Sequence, residues 1–446
     1  MKRALAFRTA EFIGIVLCAL LIISPTALAQ DQNMAQAILL EASGPVVPAL
    51  SSYIERGLEV ADSRNAEVLI LMLDTPGGLV GTTLNIVQSI RTSDVPVVVY
   101  VGPRGAGAAS AGLLITLAGH AAAMAPETAI GASSPVGPEG DLPETTERKA
   151  KEFLSAQARS LAERRGTAAV QMADEAVNEA KAVSATEALD AHLVDFIAED
   201  VNDLLDQLDG YEVQVNGRAR TLHTQGATVV PLPMNELERI LLILTDPNIV
   251  TLLLSIGAVL IFVEIRTPGG WVAGTLGTIF LGLAFYGLGV LPVNWLGIVF
   301  IILALVLFVL EVKAPTHGVL TVAGAACLAT GAIILFNQPE IAPFGQLSIP
   351  FVIGQSLLLA AIFFFMAMMA LRAQARRPTT GYEGLIGQVG RVTRDLTPRG
   401  TVLIWGERWQ AESADGTSIP ADSEVEVIEA KGMRLRVRRT EQMRIQ

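Results

Sequence analysis

Ser110 stands in a run of residues with almost no side chain, Gly105-Ala106-Gly107-Ala108-Ala109-Ser110-Ala111-Gly112. A strand pattern precedes it (Val97-Val98-Val99-Tyr100-Val101) and an apolar helical pattern follows (Leu113, Leu114, Leu117), so the hydroxyl falls at a strand-to-helix turn. Such a turn suits a nucleophile. Small neighbours let a substrate backbone approach closely, glycine takes backbone angles closed to other residues, and the free N–H groups of a helix start favour developing negative charge. Taken alone, the same run describes a Gly/Ala turn packed beneath a helix. The rest of the chain has to decide.

An activated serine needs a base within hydrogen-bond reach, donors for the oxyanion and a site that excludes water. Four histidines are available. His317 lies at a membrane loop and His223 in a linker, while His120 follows Ser110 by ten residues on one helical pattern, roughly 15 Å away by helix rise. That is too far, and His120 reads as a helix-terminal residue; His192, before a closing strand, reads as structural too. A lysine becomes the better base, provided that desolvation lowers its pKa from the ordinary value of about 10.4. Lys149 and Lys151, at the start of a strong helical pattern from Glu147 to Arg165, are the candidates. Two helical positions turn a side chain by about 200°, so only one of them can face Ser110.

The elements around these residues alternate. Ala37–Glu41, Val68–Leu73 and Pro96–Val101 read as strands, Val47–Ser63 and Leu79–Arg91 as helices, which predicts an α/β domain with a largely parallel sheet. Val68–Leu73 runs into Asp74-Thr75-Pro76-Gly77-Gly78, a second glycine loop at the carboxyl end of a strand, where such sheets place their sites. The two loops can therefore face one cleft. Residues 132–146, rich in Pro, Gly and acid, read as a long mobile loop of the kind that serves as a lid. Helical stretches at Ala168–Ala180 and Ala185–Leu189, the strand Val194–Ala198 and a hairpin around Gly217 close the domain.

Further signals place the domain. Lys2, Arg3 and Arg8, an apolar run from Phe12 to Ile23 and Ala27-Leu28-Ala29 form the three-part pattern of a secretory signal over residues 1–29. The α/β domain then spans 30–223, a linker 224–239, a transmembrane region 240–377 and a last domain 378–446. Five apolar runs in the third segment each approach the length of a bilayer crossing. Arg266, Lys313, Arg372, Arg376 and Arg377 lie on one side of these crossings, which puts the first domain outside and the last inside by the positive-inside rule. Runs one and three end alike, in Val263-Glu264-Ile265-Arg266-Thr267-Pro268 and Leu310-Glu311-Val312-Lys313-Ala314-Pro315, as a duplicated helical hairpin would, with each acid paired to the nearby cation. After Arg377, five short Gly-broken strands fit a small all-β barrel, expected to be cytoplasmic.

Composition narrows the function. A net charge of −12 without a basic run in the soluble parts argues against a nucleic-acid partner. Cys18 and Cys327 both lie in apolar runs, so the soluble regions have no disulfide, Cys nucleophile or Cys metal site. No cofactor and no metal is expected.

At this point the residues resemble a known family, the long-form NfeD membrane proteins, whose N-terminal domain is a Clp-like serine peptidase. Asp74-Thr75-Pro76-Gly77-Gly78, Ser110-Ala111-Gly112, Ala123-Met124-Ala125-Pro126 and Ile130-Gly131-Ala132 match in order and spacing, and Gly406-Glu407-Arg408-Trp409-Gln410-Ala411 matches the OB-like C-terminal barrel. The resemblance implies a Clp/crotonase-like α/β exported domain, an all-α multi-span membrane region and an OB-like barrel. It implies Ser110 as nucleophile and Lys149, eleven residues before Ser160-Leu161-Ala162, as base. It also implies oxyanion donors at the Gly78 and Ala111 N–H groups, with Gly77 in the same oxyanion and substrate-binding loop. The implied substrate is a peptide segment of a membrane protein, a stomatin-like partner cut in an apolar stretch, and the expected assembly is a homo-oligomer. The acidic lid and the second lysine, Lys151, depart from the family pattern. Two rivals stand beside this reading: a membrane scaffold with a weak or vestigial peptidase domain, and a crotonase-type acyl-transfer enzyme. The exported location and the lack of a basic patch for a CoA phosphate weigh against the second.

Overall fold

The computed structural model describes residues 35–133, 144–266, 269–313, 316–374 and 382–440. The signal segment 1–29 and most of the stretch 132–146 lie outside the described residues. Contacts divide the chain into two compact units, residues 1–303 with 327–356 and residues 304–326 with 357–446.

The N-terminal domain runs β1 (Gln36–Ser43), α1 (Pro48–Ser63), β2 (Val68–Asp74), α2 (Val80–Arg91), β3 (Val97–Val101), β4 (Gly107–Ala109), α3 (Ala111–Ala118), β5 (Ala121–Met124) and β6 (Ala129–Gly131). It continues through α4 (Glu144–Ala162), α5 (Thr167–Asn178), β7 (Ala182–Ser184), α6 (Ala185–Asp190), β8 (Phe196–Ile197), α7 (Val201–Leu208), the hairpin β9 (Glu212–Val215) and β10 (Arg218–Thr221), β11 (Thr228–Pro231) and α8 (Glu236–Ile243). A six-stranded parallel sheet has the order β11-β1-β2-β3-β5-β8. Its inner strands are apolar on both faces, as Val97–Val101 shows by being buried throughout, because helices cover both sides. A second, three-stranded sheet, β4-β6-β7, was not foreseen from the sequence; strands of three residues carry too little periodicity to register.

Residues 224–239, read as a linker, are structured. β11 extends the sheet in register with β1, from Gln36 opposite Thr228 to Leu39 opposite Pro231. An edge strand tolerates the proline because it owes no donor on its outer side. α8 is then clamped to α1: Arg56 donates from Nε and Nη2 to the two Glu238 oxygens, each at 2.7 Å, and the Tyr53 hydroxyl donates to Leu232 O at 2.6 Å.

His120 is buried at the end of α3, where its Nδ1 accepts the Val97 N–H at 2.9 Å. Burial, with the charges of Arg91 and Arg164 nearby, pushes its pKa from 6.5 to about 4. The fold thus holds a neutral imidazole, and stability that is full above pH 6.5 should fall as the pH drops toward 4, by about 3 kcal/mol in all. Thermal unfolding of the detergent-solubilised chain at pH 7 and 4.5 should show this loss; His120→Asn, which keeps an acceptor near Val97 N, should remove most of the difference. An equal loss in the variant would move its origin elsewhere.

Five helices have apolar segments of 18 to 21 residues: α9 (Pro247–Arg266), α10 (Val272–Val290), α11 (Trp295–Lys313), α12 (Val319–Phe336) and α13 (Ile349–Gln374). The chain is a multi-pass membrane protein. Among the described residues the acids of the repeated motif bond to the backbone that follows them, and Glu311 forms no ion pair with Lys313. Glu264 accepts the N–H groups of Trp271 and Gly274, both at 3.1 Å, and Glu311 accepts those of Thr316, Gly318 and Leu320 at 2.9 to 3.1 Å. The start of each following helix has unpaired N–H groups that need an acceptor where water is scarce, so the carboxylate caps it.

The last domain is a closed barrel of five strands, β12 (Val389–Arg394), β13 (Arg399–Ile404), β14 (Glu407–Ser413), β15 (Glu424–Lys431) and β16 (Arg434–Arg439), in the order β12-β13-β14-β16-β15. Alternate residues such as Val402, Ile404, Val425, Val427, Leu435 and Val437 fill its core. The arrangement is OB-like.

Candidate active site

Ser110 joins β4 to α3 with φ 53° and ψ −109°, a conformation that a side chain makes costly. Two backbone bonds hold it there: its N–H donates to Gly131 O at 2.8 Å and its carbonyl accepts from Leu113 N at 3.1 Å. The strained turn at a strand-helix junction lifts the hydroxyl out of the packing, the geometry of a nucleophile elbow. The Ser110 side chain does not cap α3. Among the described residues its hydroxyl makes no hydrogen bond, and Ser110 is only partly buried.

The neighbouring loop is stitched alongside. Thr75 N donates to Gly107 O at 2.7 Å, Ala109 N to Thr75 O at 3.0 Å, and Gly107 N to Asp74 Oδ1 at 3.0 Å. These bonds bring Gly77 against the serine: a Cβ there would stand 2.9 Å from Ser110 Cβ and 3.3 Å from its Oγ. Gly77 has φ 121° as well, so both space and backbone require glycine. Its N–H is already given to Thr75 Oγ1 at 3.1 Å, which leaves Gly77 to provide room and not a donor. Gly78 lies against Val46, where a Cβ would meet Val46 O at 2.4 Å. The bridge to Val46 uses the Gly77 carbonyl and the Leu79 N–H, so the Gly78 N–H between them is left over. The Ala111 N–H is the first of α3 and has no acceptor within the helix. Among the described residues, the Gly78 and Ala111 N–H groups on the two segments beside Ser110 thus have no acceptor.

Lys149 makes no hydrogen bond or ion pair among the described residues. It is exposed near the start of α4, nine positions from the buried Ala158 and therefore half a turn round the helix from it. Lys151 is half-buried and donates to Glu147 at 2.8 Å. Farther along, Ser155 and Arg159 both donate to Asp174, fixing α4 to α5. His120 and His192 are away from the chemistry: His120 Nδ1 is spent on Val97, and His192 sits in the turn after α6 with φ 59°. Sequence reasoning did not assign a role to Asp74, which fixes the height of the serine loop; its position at the end of β2 was the available signal.

Comparison with known proteins covers all three parts of the chain. The NfeD1b N-terminal domain matches residues 39–217, the NfeD integral membrane domain residues 248–369, and the NfeD-like C-terminal, partner-binding domain residues 382–439. The chain is 35% identical over 402 residues to a membrane-bound protease of Pyrococcus horikoshii, covering 88% of this chain and 90% of that one. It is 27% identical over 467 residues to the membrane protein NfeD1b of Bacillus subtilis, covering 98% and 100%. Among solved structures it is similar to a lysine-to-alanine mutant of a membrane-bound stomatin-specific protease in complex with a substrate peptide, at 31% identity, 47% of this chain, 96% of that one and a TM-score of 0.44.

Proposed function

Because the chain belongs to the NfeD family, we propose that Ser110 and Lys149 are the working dyad of a membrane-bound serine endopeptidase. Kinship with a membrane-bound protease along most of both chains supports a protease; its serine mechanism and the roles of its residues are the proposal. The observation that carries it is the Ser110 hydroxyl, which makes no hydrogen bond among the described residues, on a strained turn beside the Gly77-Gly78 loop.

Attack by Ser110 Oγ on a peptide carbonyl places the developing oxyanion between the Gly78 and Ala111 N–H groups, while Gly77 leaves space for the substrate backbone. The proton goes to a neutral amine, which later passes it to the leaving nitrogen. Lys149 supports this role better than Lys151, whose ammonium is already engaged by Glu147. The role requires the Lys149 amine within hydrogen-bond reach of Ser110 Oγ, where a bound apolar segment would shield it from water. The exposed Lys149 is the observation that favours the second reading, a membrane scaffold whose peptidase domain is vestigial.

The proposed substrate is an apolar segment of a stomatin-like membrane protein, with the catalytic domain outside, the barrel inside and a homo-oligomer as the working form. Reconstituting the chain with a stomatin homologue in one bilayer tests this. A cut inside an apolar segment, mapped by mass spectrometry and accessible only from the outer side, is the expected result. An intact homologue beside a chain that cleaves other peptides would remove the substrate; no cleavage of any peptide would favour the scaffold.

A further inference from the structure

The two ends of the barrel differ in chemistry. β12 is antiparallel to β13 and to β15, and β14 is parallel to β16, so β13 and β15 run toward the end at which β12 begins. The chain enters from the membrane helix α13 at that same end. Both two-residue hairpin turns lie there: Trp405-Gly406, between the paired Ile404 and Glu407, and Gly432-Met433, between the paired Lys431 and Arg434. The opposite end has the loops 395–398 and 414–423, which expose Asp395, Thr397, Asp415 and Asp422.

Large apolar side chains gather at the entry end. Trp405 is 65% exposed, Met433 75%, Val389 55% and Ile386 47%. Among the described residues none of comparable exposure lies in the loops of the far end. Trp405 has φ 50° and Gly406 φ 83°, the mirror-image turn that asks for Asn-Gly. An indole at its first position is sterically disfavoured and gains nothing from packing, since it stands in solvent. Folding does not account for it. The cations Arg391, Arg408, Lys431 and Arg434 are exposed beside these turns and form no ion pair among the described residues; Glu407 is the one acid in either turn's flanking pairs.

The covalent path identifies what can meet this face. Seven residues separate Gln374, the last of α13, from Tyr382, where the barrel unit resumes, and they span about 28 Å at full extension. The entry end is therefore tethered within about 28 Å of the end of α13, within reach of the headgroup layer. Exposed Trp and Met on turns, ringed by unpaired Arg and Lys, suit that layer: the indole favours the interface and the cations favour anionic headgroups. We infer that the entry end of the barrel is a membrane-contact surface, in which Trp405 and Met433 seat in the interfacial layer and Arg391, Arg408, Lys431 and Arg434 bind anionic phospholipid headgroups. This does not depend on the peptidase activity.

The full chain in nanodiscs tests it, in a background of Cys18→Ala and Cys327→Ala. A spin label is attached through Met433→Cys at the entry end or Asp415→Cys at the far end, and its accessibility to oxygen and to a water-soluble nickel chelate is compared. In discs containing phosphatidylglycerol, the oxygen-to-nickel ratio should be several-fold higher at position 433 than at 415. Combining Trp405→Ser with Arg408→Gln should lower the ratio at 433 toward the value at 415, while unchanged label mobility at 415 reports an intact barrel. Equal ratios at the two ends would overturn the inference. So would protection of 433 that appears only on raising the protein density in the disc, which indicates a second copy, or only on adding a soluble partner.

Discussion

Ser110→Ala should leave the chain folded and remove its peptidase activity, with a loss on the order of a million-fold in kcat where the nucleophile of a serine protease is deleted. The two halves of that expectation have separate physical grounds. Alanine keeps the Cβ, so the strained φ of 53° is neither relieved nor worsened, and among the described residues the hydroxyl makes no hydrogen bond that could be lost. Stability should therefore stay within about 0.5 kcal/mol of the parent. Activity depends on the oxygen itself, because the donors at Gly78 and Ala111 can polarise a carbonyl but cannot attack it. Turnover of an apolar peptide by purified parent and variant measures the loss, and equal thermal unfolding of the two shows that it is chemical. A variant that retains turnover would exclude Ser110 as the nucleophile.

Lys149→Ala should lower kcat/KM by about 10² to 10⁴, the usual contribution of a positioned base, whereas Lys151→Ala should cost little. The neighbour makes a demanding control. Both substitutions remove one positive charge from the same helix start, so a general electrostatic effect would appear in both. Lys151→Ala also breaks the ion pair with Glu147, but an i,i+4 pair of this kind is worth only about 0.3 to 0.5 kcal/mol. Lys149→Arg should fail as Lys149→Ala does, since a guanidinium cannot give up its proton near neutrality. For the parent, kcat/KM should rise with pH, because only the unprotonated amine can accept the serine proton. If Lys151→Ala is the inactive variant, the half-buried lysine is the base and Glu147 must release it; if both variants are active, the base is not in α4.

Much of this arrangement was legible before the structure. The parallel sheet followed from apolar runs such as Val97–Val101 that are buried on both faces, and the site loops followed from their glycines at strand ends. The membrane helices and the barrel were legible from length and alternation. Three features were not. The β4-β6-β7 sheet consists of strands too short to leave a pattern, yet Gly131 in it accepts the Ser110 N–H. β11 was hidden by its prolines and reads as a linker until β1 is seen to need an edge partner. The acid Glu311 was given the wrong partner because a helix start offers no side chain to the eye, only N–H groups. Lys149 shows the limit most plainly: its spacing comes from the family, and the fold leaves it exposed.

Labelling of the full chain with a serine-directed fluorophosphonate, followed by mass-spectrometric location of the adduct, tests the central assignment most directly. The account predicts one adduct, on Ser110, formed faster as the pH rises and strongly slowed in Lys149→Ala but not in Lys151→Ala. An adduct on another serine, or none on a chain that still cleaves peptide, would contradict it.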